Sequence, residues 1–201
     1  MNKFIFLILT ICTIACNNSS TDSGIGDSTS PRRDSVKQEP YYPIKEYIAG
    51  QIAYVDSTPL AIEQITYLDN KKTDSVIIDR NTFKKLAAEF LEPDLNVASI
   101  KPLYEENSYN DLTINTITFN YTTKNKTLEL QQADVLLNPE NNKVKTVIFR
   151  KNRTSGDTAI SLNGLWTNNM NFQLNYSYLL KDGKGFTKQV KIIWDRPMPE
   201  D

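Results

Sequence analysis

The chain has no histidine, two cysteines and no excess of either charge, and each scarcity closes a class of chemistry. Without imidazole there is no Ser-His-Asp or Cys-His arrangement and no histidine-ligated metal site. The cysteines are Cys12 and Cys16, so a mature chain starting at Cys16 has no second thiol for an internal disulfide, and packing alone must hold its fold. Lysines and arginines number 23 against 24 aspartates and glutamates, a balance that exerts no pull on nucleic acid or on an anionic membrane surface. Seven glycines form neither a Walker-type Gly-Lys-Ser/Thr loop nor a dinucleotide-binding loop, and no cofactor or metal is expected. No apolar run reaches the ~20 residues that a mature membrane-spanning helix needs.

What is present begins with a leader. Lys3 supplies a positive charge, residues 4–15 are apolar and uncharged, and Asn17-Asn18-Ser19-Ser20 is polar. This is the anatomy of a signal peptide over residues 1–15. Thr13-Ile14-Ala15-Cys16 resembles a bacterial lipobox, with Thr13 where leucine is usual. The resemblance implies that Cys16 is acylated, palmitate-like chains included, and becomes the mature N-terminus. Two or three acyl chains at ~0.8 kcal/mol per buried methylene would hold the protein to a membrane, facing the periplasm.

Residues 16–40 are rich in Ser, Thr, Asp, Gly and Pro and bury too little to offset chain ordering, so they read as a tether. A flexible linker of about 24 residues spans roughly 25–30 Å and reaches about 80 Å when stretched. Residues 41–201 then form one domain, which the expected anchor keeps near its membrane.

Within that domain, Ile44, Tyr47, Ile48, Ile52 and Val55 follow helical spacing between Pro43 and Pro59. A second helical stripe joins Phe83, Leu86, Ala87, Phe90 and Leu91, with Asp79 or Asn81 as cap and Pro93 beyond it. Strand patterns cover residues 61–68, 75–79, 111–123, 128–137, 144–150, 159–166, 172–180 and 186–194. The apolar phase of 111–123 changes partway, which predicts a bulge. Asn138-Pro139-Glu140-Asn141-Asn142 and Lys181-Asp182-Gly183-Lys184-Gly185 predict two hairpins. In the second, hydrophobic pattern puts Phe172, Leu174, Tyr176, Val190, Ile192 and Trp194 on one face. The fold expected from these elements is α+β, with two N-terminal amphipathic helices packed on a mostly antiparallel sheet of hairpins.

Ile48-Ala49-Gly50-Gln51-Ile52 followed by Val55-Asp56-Ser57-Thr58-Pro59, together with Phe90-Leu91-Glu92-Pro93-Asp94, Ser108-Tyr109-Asn110-Asp111 and Leu137-Asn138-Pro139-Glu140, resembles an uncharacterised family of small Bacteroidota lipoproteins and periplasmic proteins. The resemblance spans residues 43–150 and implies an envelope location. It implies no activity.

Catalytic candidates reduce to carboxylates. Glu105, Glu106, Glu129 and Asp134 are the acids from which a glycosidase-like pair would be drawn, since that chemistry needs two carboxyl groups at a set separation. Asp69, Asn70 and Asp74 lack the spacing of an EF-hand and read as a solvated turn. Aromatic rows at Phe172, Tyr176 and Tyr178 read chiefly as a core face, and otherwise as a platform for a glycan or protein partner. No catalytic residue is assigned. Five segments, Asp27-Ser28-Thr29, Asp34-Ser35-Val36, Asp56-Ser57-Thr58, Asp74-Ser75-Val76 and Asp157-Thr158-Ala159, look like the O-glycosylation pattern of Bacteroidota envelope proteins, making Ser28, Ser35, Ser57, Ser75 and Thr158 candidate sites. The function expected is non-catalytic binding or assembly in the envelope, with an envelope protein or glycan as partner. The alternative is a carboxylate-dependent hydrolase acting on envelope glycan or peptide.

Overall fold

A computed structural model describes residues 40–195; Cys16, Ser28 and Ser35 lie outside them. Nine strands form one antiparallel sheet in the order β2-β1-β9-β8-β7-β6-β5-β4-β3. The strands are β1 (Ile62–Leu68), β2 (Lys71–Ile78), β3 (Glu105–Asp111), β4 (Thr116–Thr122), β5 (Leu130–Leu137), β6 (Val144–Ser155), β7 (Thr158–Thr167), β8 (Asn171–Leu179) and β9 (Gly185–Ile193). The last seven form a meander, and β1 returns along β9 with β2 outside it.

This corrects the expected fold class. Among the described residues the protein is mainly one nine-stranded sheet, and the α-helices are α1 (Ile44–Ser57) and a second of only eight residues, α2 (Arg80–Ala87). They are not an N-terminal pair, because the β1–β2 hairpin lies between them and joins the same sheet. The apolar stripe from Phe83 to Leu91 overstates the second helix because Ala88–Phe90 continues it as a tighter 3-10 turn, with proline following at 93. At its start Asp79 does cap, accepting from the Thr82 amide at 2.9 Å.

One turn also differs from expectation. The phase change within 111–123 marks a chain reversal between β3 and β4, where a bulge was expected. Asp111 Oδ1 accepts from the Thr113 amide, Asn115 takes a left-handed φ of 49°, and Leu112 is left 88% exposed. The sequence pattern also missed β3 itself, an edge strand whose side chains are almost all exposed. Asp69 and Asn70, read from the sequence as a solvated turn, make the two-residue β1–β2 turn with both φ values positive, as such a hairpin requires, whereas Asp74 lies within β2. Asp69 also accepts from the Thr187 amide at 2.8 Å.

The β8–β9 hairpin has the expected register. Phe172 pairs with Ile192, Leu174 with Val190 and Tyr176 with Lys188, so even positions share a face, and Gly183 absorbs a φ of +82°. The core lies on this face. Phe83 of α2 meets Phe172 and Trp194 at ring-centroid distances of 5.7 and 5.6 Å, and Phe90 meets Phe149 at 4.8 Å and Trp166 at 5.2 Å. Phe149 lies across Gly164 so closely that a β-carbon there would fall 2.1 Å from its ring. From α1, Ile48 and Val55 complete the same cluster.

Candidate functional site

The 3-10 turn Ala88–Phe90 ends partway along the sheet, and beside it the chain from Leu91 to Tyr104 runs past β5 and β6 without regular strand or α-helix. Between them opens a groove of about 500 Å³, within the size range of small-molecule sites. Its apolar wall comprises Ala88, Pro93, Ile100, Leu103, Leu128 and Leu130. Lys151 lies on its floor, only 4% exposed.

Strand phase explains that placement. Along β6, Val147, Phe149 and Lys151 are buried while Arg150 and Asn152 point out, so Lys151 occupies an inward position that alternation reserves for apolar residues. Its ammonium donates to the Glu89 carbonyl at 2.6 Å and stands 3.5 Å from Glu89 Oε2. It also sits 4.9 Å from the centroid of the Phe149 ring. Burial lowers the Lys151 pKa below the ordinary lysine value, opposed by Glu89 and Glu129.

Arg153, one inward position further along β6, reaches Glu89 Oε1 at 2.9 Å and Glu129 Oε1 at 3.5 Å. One guanidinium thus bridges two carboxylates at the groove's edge. Tyr176 feels this cluster, and burial, with Glu89 adding to it, pushes its hydroxyl up to about 12. At the other end Lys45 bonds Glu92 at 2.7 Å, and that hydrogen bond holds the Glu92 carboxyl below the usual range.

The acids singled out from sequence divide accordingly. Glu129 lines the groove with Glu89, but Arg153 occupies both carboxylates, and acid–base catalysis needs one of them free to carry and release a proton. Glu105 on β3 pairs with Lys124 at 2.9 Å, and Glu106 beside it is exposed. Asp134 accepts from the amides of Asn120 and Gln132 on the sheet's outer face. Glu89, Lys151 and Arg153 were missed, and the signal for Lys151 was its position in phase with Val147 and Phe149.

The aromatic row splits in two. Phe172 is part of the covered core and half-buried Tyr176 packs at its edge, whereas Tyr178 and Phe186 continue beyond α2, stacked at 4.5 Å. A second, open depression of about 630 Å³ lies there, lined in part by Arg153, Ile160 and Tyr178. At the domain's entrance Tyr41 is buried against Tyr121, its hydroxyl donating to the Tyr104 carbonyl at 2.7 Å. Of the candidate glycosylation sites, Ser57 ends α1 and donates to the Tyr54 carbonyl, and exposed Ser75 on edge strand β2 donates to Glu63 at 2.7 Å. Thr158 opens β7 beside the Gly156-Asp157 turn and is half-buried.

No protein-family model, no curated protein and no solved structure matches the chain.

Proposed function

We propose that this chain is an envelope lipoprotein, held to a membrane by an acylated Cys16 and facing the periplasm, whose domain binds an apolar or amphipathic molecule without transforming it. The anchor rests on the leader that ends at Ala15-Cys16. The observation that carries the binding role is the groove beside Ala88: about 500 Å³ in volume, walled by apolar side chains and floored by one buried cation. A partner of the envelope, whether a protein offering an apolar side chain, a glycan or a small molecule, would be engaged there. Glycosylation at Ser57, Ser75 or Thr158 would leave this role intact, since none of these three lines the groove.

Two measurements test the proposal. Titration with the apolar fluorophore N-phenyl-1-naphthylamine is expected to saturate, and Ala88→Trp, at an exposed helix-end position on the groove wall, should fill the groove and weaken binding by about tenfold or more. An unchanged titration would remove the groove from the account. Mass spectrometry of the mature N-terminus should find acylated Cys16; an unmodified thiol there would remove the anchor.

A further inference from the structure

We infer that the groove takes an amphipathic anion, with its acidic head at Lys151 and its apolar part against Ile100, Leu103, Leu128 and Leu130. This names the ligand class for the binding role above and rests on it.

Burying the Lys151 ammonium is costly. An ammonium taken out of water needs its three donors engaged, yet beside the Phe149 ring at 4.9 Å the structure gives this one a single short bond, to the Glu89 carbonyl, and one long contact to the Glu89 carboxylate. That carboxylate is shared, because Arg153 takes its other oxygen at 2.9 Å. Lys151 is therefore buried with its charge incompletely answered, on a surface that opens into the groove. An anion arriving there would replace the long contact and leave the short one in place.

Charge in the groove points the same way. The lining itself carries Lys85 and Lys151 against Glu89, Glu92 and Glu129, and Lys45 and Arg153, paired to those acids from outside it, bring the count to four cations against three carboxylates. The surplus is one positive charge, in a chain whose net charge is −1. Among the described residues Lys85 is paired with no carboxylate, whereas each of the three acids has a basic partner. A cationic ligand would find no carboxylate to itself, and a neutral one would bury Lys151 further with no compensation. The wall opposite is apolar, so the head must carry an apolar body. Burial already lowers the Lys151 pKa, and a bound anion would restore its preference for the charged form.

The test uses two dyes on the full mature chain that differ by a sulfonate. 1-Anilinonaphthalene-8-sulfonate is expected to bind about tenfold more tightly than neutral N-phenyl-1-naphthylamine. Lys151→Met should remove that preference, Ala88→Trp should weaken both dyes, and Lys188→Met, at an exposed lysine on the open end of the sheet, should leave the ratio within about twofold. Equal affinity of the two dyes for the unaltered domain, or a preference that survives Lys151→Met, overturns the inference while the binding role stands. Failure of both dyes to bind overturns both. Should Lys151→Met not fold, displacement of the neutral dye decides the matter: decanoate is expected to compete at about tenfold lower concentration than decanol, and equal competition refutes the assignment.

Discussion

The β8–β9 hairpin carries one row of side chains that lives in two environments. Phe172, Leu174, Val190 and Ile192 are covered by Phe83, Phe90 and their neighbours, half-buried Tyr176 packs at the edge of that cover, and Tyr178, Phe186 and Lys188 continue the same face past its end. Alternation decides which face a residue takes, but burial is decided by what lies across from it. The short helical segment stops at Phe90, and at that boundary stand Glu89, Lys151 and Arg153. The groove opens where the cover runs out.

The sharpest way to break this comparison is to truncate an aromatic at each end. Phe172→Ala removes a ring that touches Phe83, Phe90 and Trp166, and should cost about 3–5 kcal/mol in urea unfolding. Losses of equal size at Phe172 and Phe186 would show that the two ends are not distinct. High pH should also act mainly through buried rings. Burial raises the pKa of Tyr41, Tyr42, Tyr47, Tyr104, Tyr121 and Tyr176 in the folded state. A raised pKa gives stability that is complete below the unfolded value near 10 and lost as pH rises through the folded value, about 12 for Tyr176. Lys151 has the opposite sign, since its lowered pKa favours folding as pH climbs towards 10.5, but it is one group against six. The urea midpoint should therefore fall between about pH 10 and 12, with tyrosinate absorbance rising together with unfolding.

Smaller effects sharpen the picture. Gly164→Ala forces a β-carbon into Phe149 and should cost about 1–3 kcal/mol. Asp79→Ala removes the cap over Thr82 and should lower the midpoint less than Gly164→Ala does. Least affected should be Phe186→Ala, at 37% exposure and, among the described residues, stacked on Tyr178 alone, with a loss of about 1 kcal/mol or less.

These differences also explain what could be read in advance. The β8–β9 register was legible because one phase buries apolar residues and the other does not, and Asp79 was legible because capping is a local matter. The edge strand β3 was not, since Glu105-Glu106-Asn107-Ser108 faces solvent on both sides and leaves no period of two. The fold class failed for a related reason: the stripe from Phe83 to Leu91 has helical spacing but is too short to be the layer that it implied. Of the groove, Glu129 alone was singled out. Its other charged members come from α2, the 3-10 turn, the chain after it and β6, so nothing in linear order joins them, and only the out-of-place charge at Lys151 betrayed the site.

The most direct test follows amide chemical shifts of the domain during titration with 1-anilinonaphthalene-8-sulfonate. The account predicts that shifts concentrate at Ala88, Ile100, Leu103, Leu128, Leu130 and Lys151 while Tyr178, Phe186 and Lys188 stay still. Shifts centred on Tyr176, Tyr178 and Phe186, with the groove residues unmoved, would contradict it.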